Sequence, residues 1–530
     1  MSNPSAANTL PAADRNDGEP SWYPGYGLTV LVVVYVLNFL DRQILSILNE
    51  HIKADLGLTD AQMGFLFGTA FAVFYALFGI PLGRLADVWV RRSLIATGLA
   101  FWSAMTALSG LAQGFAQLAA ARIGVGVGEA SASPAAYSLL ADWFPPRRRA
   151  TVFALYSSGI YLGAGCGLMI GGQVVDRWDA AFTTATAPFG LRGWQVAFFL
   201  VGLPGLLLAA WVRTLREPPR GGQLADGELA TGHTAMAEFF HELAAVLPPL
   251  TLWTIAREGG RAALVRNLRA AAGIAALALA LTVWSGDVAQ WTALAVGAYA
   301  STSWMQSLRN RSPEAADVIL GTATLRWAAL GFGCLAFTGY AVGYWVPPYF
   351  MRVRGVPASE VGLVVGGVAA AGGWLGVSAG GALADAWRTR SACGRLYTGM
   401  LTACLTPPLL MALLATPGST PAFALNGPLM FVSSAWIGAG IATVHDLVPP
   451  RLRGTASAAY LLVITFIGLA LGPYVVGRLS AVLGSLQSAL VAGALLGDGM
   501  ALFFLLLAAR SLPADQRRAD ELVRNAAEAA

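Results

Sequence analysis

Long apolar stretches alternate with short polar breaks along almost the whole chain, and the spacing of that alternation predicts the elements. Apolar runs begin near residues 27, 61, 93, 117, 151 and 192, and again near 328, 359, 395, 421, 455 and 484. Each is about twenty residues or longer, the length at which a helix crosses the hydrocarbon core of a bilayer. Inside that core the backbone must satisfy its own hydrogen bonds, so runs of this length are helical. The pattern predicts an all-α polytopic membrane protein of twelve spans.

Polar punctuation orders the spans. Arg91 and Arg92, then Arg147, Arg148 and Arg149, then Arg213, Arg216 and Arg220 follow the second, fourth and sixth spans. Arg388 and Arg390, Arg451 and Arg453, and Arg517 and Arg518 follow the eighth, tenth and twelfth. Positive residues mark the cytoplasmic side, which puts both termini inside. The halves also repeat. "GRLADVWVRR" at 83–92 matches "GALADAWRTR" at 381–390, an offset of 385 − 87 = 298. "ADWFPPRRRAT" at 141–151 matches "HDLVPPRLRGT" at 445–455, an offset of 446 − 142 = 304. Two pairs in one order at nearly one offset indicate a duplicated six-helix unit.

The expected organisation is a disordered N-terminal tail at 1–25, a six-helix bundle at 26–216, a linker at 217–326, a second bundle at 327–511 and a cytoplasmic tail at 512–530. The first segment is polar and turn-rich, with no signal-peptide core. The linker carries a short amphipathic stretch and two further apolar runs within 270–306, joined by a tight "SGD". Both bundles start on one side, so these runs cross together as a hairpin or not at all. A hairpin is the preferred expectation, although the first run is short for a span.

Composition narrows the function. Hydrophobic residues make up 56% and charged residues 12%, with mean hydropathy +0.60. A soluble domain carries roughly 25% charged residues. The formal charge of +5 comes from scattered arginine clusters rather than one basic face, which argues against nucleic-acid binding. Lys53 is the single lysine and follows no glycine-rich loop, so no P-loop motor is present. The four cysteines lie apart in apolar surroundings, and the four histidines have no metal-ligand spacing. No cofactor is expected, and no nucleophile–base pair at membrane depth suggests an enzyme.

The "G-x-L-A-D…R-R" element and its second copy resemble the signature loop of the major facilitator superfamily, two six-helix bundles related by a pseudo-two-fold axis. Gly83, Asp87, Arg91, Arg92, Asp142, Arg148, Asp385, Arg388 and Asp446 belong to these loops. They are read either as a conformational latch, with Asp87 paired to the arginines, or as topology anchors. In the fifth span Gly159, Gly163, Gly167 and Gly171 recur at four-residue spacing, which lets helix backbones approach closely.

"NFLDRQ", "RIGVGVGEASASPA" and "DWFPPRRR" together resemble the spinster-like branch of that superfamily, most closely over 26–216 and more weakly over 328–510. The resemblance implies transport of sphingolipids or lysolipids, proton coupling in a bacterial member, and a central polar site at Asp41, Arg42, Arg122 and Glu129. It implies a bacterial inner-membrane protein acting as a monomer, with a lipid-like substrate, protons and membrane lipids as its partners. The "D-R" pair also resembles that of organic anion:proton symporters.

Physical reading of the same four residues runs parallel. They are the charges expected deep in the membrane. The other spans, including all six of the second half, are expected to carry none. Arg84, Asp87, Glu360, Asp385 and Arg478 sit near helix ends. Arg122 and Glu129 are seven apart and share a helix face, whereas Asp41 and Arg42 point about 100° apart. Asp41 is therefore expected to face Arg122 and Glu129, with Arg42 projecting into a central cavity. Asn38 and Ser133 join Arg42 and Arg122 as candidate substrate contacts. A paired ionic staple between helices is the bland alternative. The functional one makes Asp41 and Glu129 proton-coupling sites, because carboxylates and arginines sharing a poorly solvated cleft titrate together. In the seventh span Tyr340 and Tyr344 are expected to line the cavity for a hydrocarbon tail, with Tyr349 and Phe350 in the interfacial belt. The expected activity is proton-coupled transport of amphipathic, anionic, lipid-like molecules by alternating access. The alternatives are an organic anion:proton symporter, a multidrug:proton antiporter holding cations on Glu129 and Asp41, and a receptor that no longer transports.

Overall fold

The computed structural model describes residues 22–183, 185–218, 232–449 and 452–528. Most of the expected N-terminal tail, the linker stretch 219–231 with Arg220, and Arg451 lie outside the described residues. Helix is the regular structure throughout them, with no strand.

The first half comprises α1 (Tyr23–Ile47), α2 (Asn49–Leu56), α3 (Asp60–Phe67), α4 (Thr69–Val88), α5 (Arg91–Ser109), α6 (Phe115–Glu129), α7 (Ala132–Trp143), α8 (Pro146–Ala181) and α9 (Gly193–Arg213). Between the halves lie α10 (Gly232–Val246), α11 (Leu250–Ser285), α12 (Val288–Arg311) and α13 (Pro313–Gly321). The second half holds α14 (Ala323–Arg352), α15 (Ala358–Arg388), α16 (Gly394–Ala415), α17 (Ser419–Ser434), α18 (Ile437–Leu447), α19 (Arg453–Val463), α20 (Gly472–Leu483) and α21 (Leu486–Glu528), with a π-helical stretch at Ile464–Leu471 joining α19 to α20. Helix α1 begins inside the segment expected as tail, and α21 runs unbroken through the described part of the expected C-terminal tail.

Among the described residues, eleven helical segments are long and apolar enough to cross a membrane. Ten are expected spans and one is Gly259–Ser285 in the insert. The third span, α5, opens on Arg91 and Arg92, and the fourth is split into α6 and α7 of 15 and 12 residues and carries Arg122 and Glu129. The third is made less apolar by its opening arginines, and the fourth is divided into two short helices. Arg122 and Glu129 are fully buried, whereas α5, packed against α6 and α9, keeps Phe101 and Leu108 exposed.

Close backbone approach explains the glycine stripes. A Cβ on Gly163 would collide with the carbonyl oxygen of Val36, so α8 lies directly on α1. On α6, a Cβ on Gly126 would stand 2.6 Å from the carbonyl oxygen of Phe71, so the fourth span rests on α4 at the level of its charges.

The insert forms an antiparallel pair, α11 against α12, turning at Gly286 with φ 81°. Its first apolar segment, Gly259–Ser285, is 27 residues and not short as expected, because helix continues back from residue 270 to a break at Gly260, where φ is 65°. The pair leans on the second and eleventh spans. Thr69 Oγ1 lies 2.7 Å from both the Gln290 side-chain amide and the carbonyl of Ala470, and Tyr474 donates to Asp287 at 2.8 Å.

Candidate functional site

Helix geometry sets what α1 offers. Asn38 and Arg42 are one turn apart on one face, and Asp41 is turned away from them. The Arg42 Nε–H donates to Glu129 Oε2 at 2.7 Å. The guanidinium carbon lies 4.7, 4.4 and 4.8 Å from the ring centres of Phe39, Phe71 and Tyr75. Such cation–π contacts contribute on the order of 2 kcal/mol when desolvated. The pairing that the helix angles suggested is therefore reversed: Arg42, not Asp41, meets Glu129.

Asp41 instead faces the third span, where Thr106 Oγ1 donates to its Oδ2 at 3.1 Å and Oδ1 has no partner. Arg122 donates to the backbone oxygen of Asp41 at 3.4 Å, and its Nε is unpartnered. Asp41, Arg122 and Glu129 are each 0% exposed. The Arg42 side chain is 16% exposed. The four charges lie within electrostatic reach of one another, and of them Arg42 is the member that reaches the surface of the cleft. Asn38 is buried with Oδ1 unpartnered, and Ser133 is half-buried beside Tyr35 and Tyr156.

The second half contributes less than expected. Tyr340 is 37% exposed and within electrostatic reach of Arg42 and Tyr75 across the cleft. Tyr344 does not line the cleft. Asn49 Nδ2 donates to its hydroxyl at 2.6 Å, the hydroxyl donates to the Met63 carbonyl at 3.2 Å, and Ser46 binds its carbonyl at 2.6 Å. Tyr349 and Phe350 are buried rather than in the belt, with Tyr349 donating to the Leu414 carbonyl and Phe350 stacked on Phe423.

Sequence reasoning missed one deep charge. Asp498 lies inside α21, 2% exposed, with both carboxylate oxygens unpartnered. The single acid in "GALLGDGMALFF" was the available signal, masked by the flanking glycines.

The loop residues form two clusters. Arg91, 1% exposed, donates to Asp142 at 2.5 Å, to Ser138 at 2.8 Å and to Glu217 at 2.7 Å. Glu217 also accepts the first backbone N–H groups of α5, where a carboxylate complements the helix dipole. Arg92 reaches the Leu215 carbonyl. In the second half Arg388 donates to Asp446 at 3.2 Å, while Arg395 joins Asp446 and lies 3.4 Å from Asp385. Arg395 was not singled out, yet it pairs with Asp446 as Arg91 pairs with Asp142, 446 − 395 and 142 − 91 both being 51. Asp87 was expected to bind the arginines. It stands 64% exposed, 3.9 Å from Arg84, because Asp142 and Glu217 already occupy Arg91. Arg148 is exposed and its side chain is no part of the cluster. Gly83 sits opposite Pro134 of α7.

At the other end the halves are bolted together. Arg352, at the end of α14, makes bidentate bonds to Glu50 at 2.7 and 3.0 Å and to Asp60 at 2.7 and 2.8 Å. Lys53 binds Asp60 at 2.6 Å. Ser359 and Asp176, Gln173 and the Ser359 carbonyl, and Gln43 and the Gly343 carbonyl continue the seam.

Two six-helix halves meeting at one end over a central cation–carboxylate pair have the architecture of a membrane transporter. The chain belongs to the Major Facilitator Superfamily, whose sequence profile matches residues 31–473. It is 29% identical over 489 residues, 91% of this chain and 89% of the relative, to an MFS-type efflux pump of Mycolicibacterium smegmatis. A probable galactarate/D-glucarate transporter of Bacillus subtilis is 31% identical over 208 residues, covering 38% of this chain and 42% of that one. Among solved structures, a bacterial homolog of the human lysosomal transporter Spinster, inward-facing and unoccupied, matches with TM-score 0.68 and 26% identity over 94% of this chain and 98% of that one. The chain is a multi-pass membrane transporter, not an enzyme.

Proposed function

We propose that this transporter exchanges or co-transports protons with amphipathic anions of the lysolipid or sphingolipid class. The carrying observation is the Arg42–Glu129 bond beneath three aromatic rings, with Tyr340 opposite. An anionic headgroup that takes the guanidinium displaces Glu129. A buried carboxylate without its counter-charge is stable only with a proton, so anion binding and proton uptake are linked. Phe39, Tyr75 and Tyr340 offer an apolar bed for a chain attached to that headgroup. Asp41, sealed behind α1 in this state, is proposed as the second acid of the cluster, exposed when α1 shifts against α5. Arginines crowd the end where the halves are unbolted, and positive residues mark the cytoplasm. The proposed state is therefore inward-facing, with both termini inside, in the inner membrane of a bacterium and as a monomer.

Small organic anions are the second reading, favoured by the sugar-acid relative. Flux into proteoliposomes, with and without an imposed pH gradient, separates the two. Lysolipid flux that responds to the gradient is expected. A response to sugar acids alone moves the assignment to the second reading, and a response to cationic dyes alone removes both.

A further inference from the structure

Asp498 lies twelve residues into α21, about 18 Å along the helix, and so far from either membrane surface. A polar side chain of α14 lies beside it: Thr338 is 2% exposed, and its hydroxyl has no other partner. Contact between the two helices is tight here, since a Cβ on Gly497 would stand 2.8 Å from the Phe337 ring and 3.3 Å from the Cys334 carbonyl.

No cation compensates the acid among the described residues. Helix α14 presents the Cys334 thiol. On α16, Arg395 is held by Asp446 and Asp385. On α20, Tyr474 and Arg478 both turn to Asp287 of the insert. On α18, His445 is engaged with Ser457. An ionised carboxylate in such a place is very costly, whereas a neutral acid is tolerable. A sodium ion would find one carboxylate and one hydroxyl, fewer oxygens than a hard cation collects.

We propose that Asp498 is a second proton-binding site, in the half opposite the Arg42 cluster. It rests on the proton-coupled reading above and extends it to the C-terminal half. Helix α14 makes the site consequential, because it also carries Tyr340 on the cleft and Arg352 in the seal. With its proton, Asp498 packs dry against α14. When the proton leaves, the carboxylate must draw in water, and α21 parts from the back of α14. Proton occupancy is thereby tied to the position of the helix that bears the cleft and the seal.

Infrared difference spectroscopy of the full chain in liposomes across a pH step tests this, alongside proton uptake per substrate moved. The native protein should show a carboxylic-acid carbonyl band that D498N loses and T338V shifts in frequency. D498N should also lose part of the proton uptake, a loss that adds to that of E129Q. Where D498N fails to fold, the T338V band shift decides. An unchanged band in both variants, or undiminished uptake in folded D498N, overturns the site. Sodium-dependent flux at fixed pH that D498N abolishes also overturns it, in favour of a sodium site. Absence of any proton movement in the native protein refutes the coupled-transport reading instead, and the band then decides Asp498 by itself.

Discussion

Arg42 is held by a carboxylate and three rings, yet it is the one member of the deep cluster open to the cleft. That combination makes a specific demand on substrate. Removing it should weaken an anionic amphiphile by about ten- to a hundredfold, the loss of a charge-assisted contact of ~1.5–3 kcal/mol. Equilibrium binding of a lysolipid to R42A measures this, and a cationic dye should bind R42A unaltered. The sign of the pH effect follows from linkage. Binding that takes up a proton is tighter at lower pH, by at most about tenfold per unit for one proton. The native protein should show that slope and E129Q should flatten it, as read by titration at several pH values. Residue types were legible in advance, because charges deep in apolar runs are rare. Their pairing was not. Arg42 and Asp41 differ by one helical step, and only the placement of α4 and α5 around α1 decided which of them met Glu129.

At the scale of elements, the arginine clusters at the ends of the second and fourth spans in each half hold loops to helix termini. Arg91 is buried among Asp142, Ser138, Glu217 and the Pro218 carbonyl. R91A removes the buried cation that Asp142 and Glu217 share, which should cost about 3–5 kcal/mol. Thermal unfolding in detergent checks the loss. The same change at Arg395, which is more exposed, should cost less. Repetition in the sequence pointed to these clusters, but Asp87 was placed in them wrongly. A loop pattern shows that charges are near one another, and it does not show which acid is closest once Glu217 folds back from the sixth span. The split of the fourth span falls four residues before Pro134, whose ring cannot continue the preceding turn, whereas the π-helical stretch of the eleventh carries no such signal.

For the whole molecule, one ionic lock dominates the closed end. Arg352 ties the seventh span to the first and second through Glu50 and Asp60. R352A should shift the population toward the state open at that end. Cysteines placed on either side of the seam and labelled with a membrane-impermeant reagent report it, with labelling rising in the variant. The insert adds a second restraint, since Gln290 reaches the second span while Asp287 reaches the eleventh.

Twelve spans, two repeated halves, arginine clusters at alternate span ends and a charged fourth span follow from the sequence alone, because bilayer thickness and the cost of burying charge act on every residue locally. Which acid meets which arginine, that Tyr344 is a bolt rather than a cavity wall, and that Asp498 stands unpartnered were decided by the tertiary structure. Those outcomes depend on helix rotation and on contacts between segments hundreds of residues apart, and neither leaves a periodic trace in the chain.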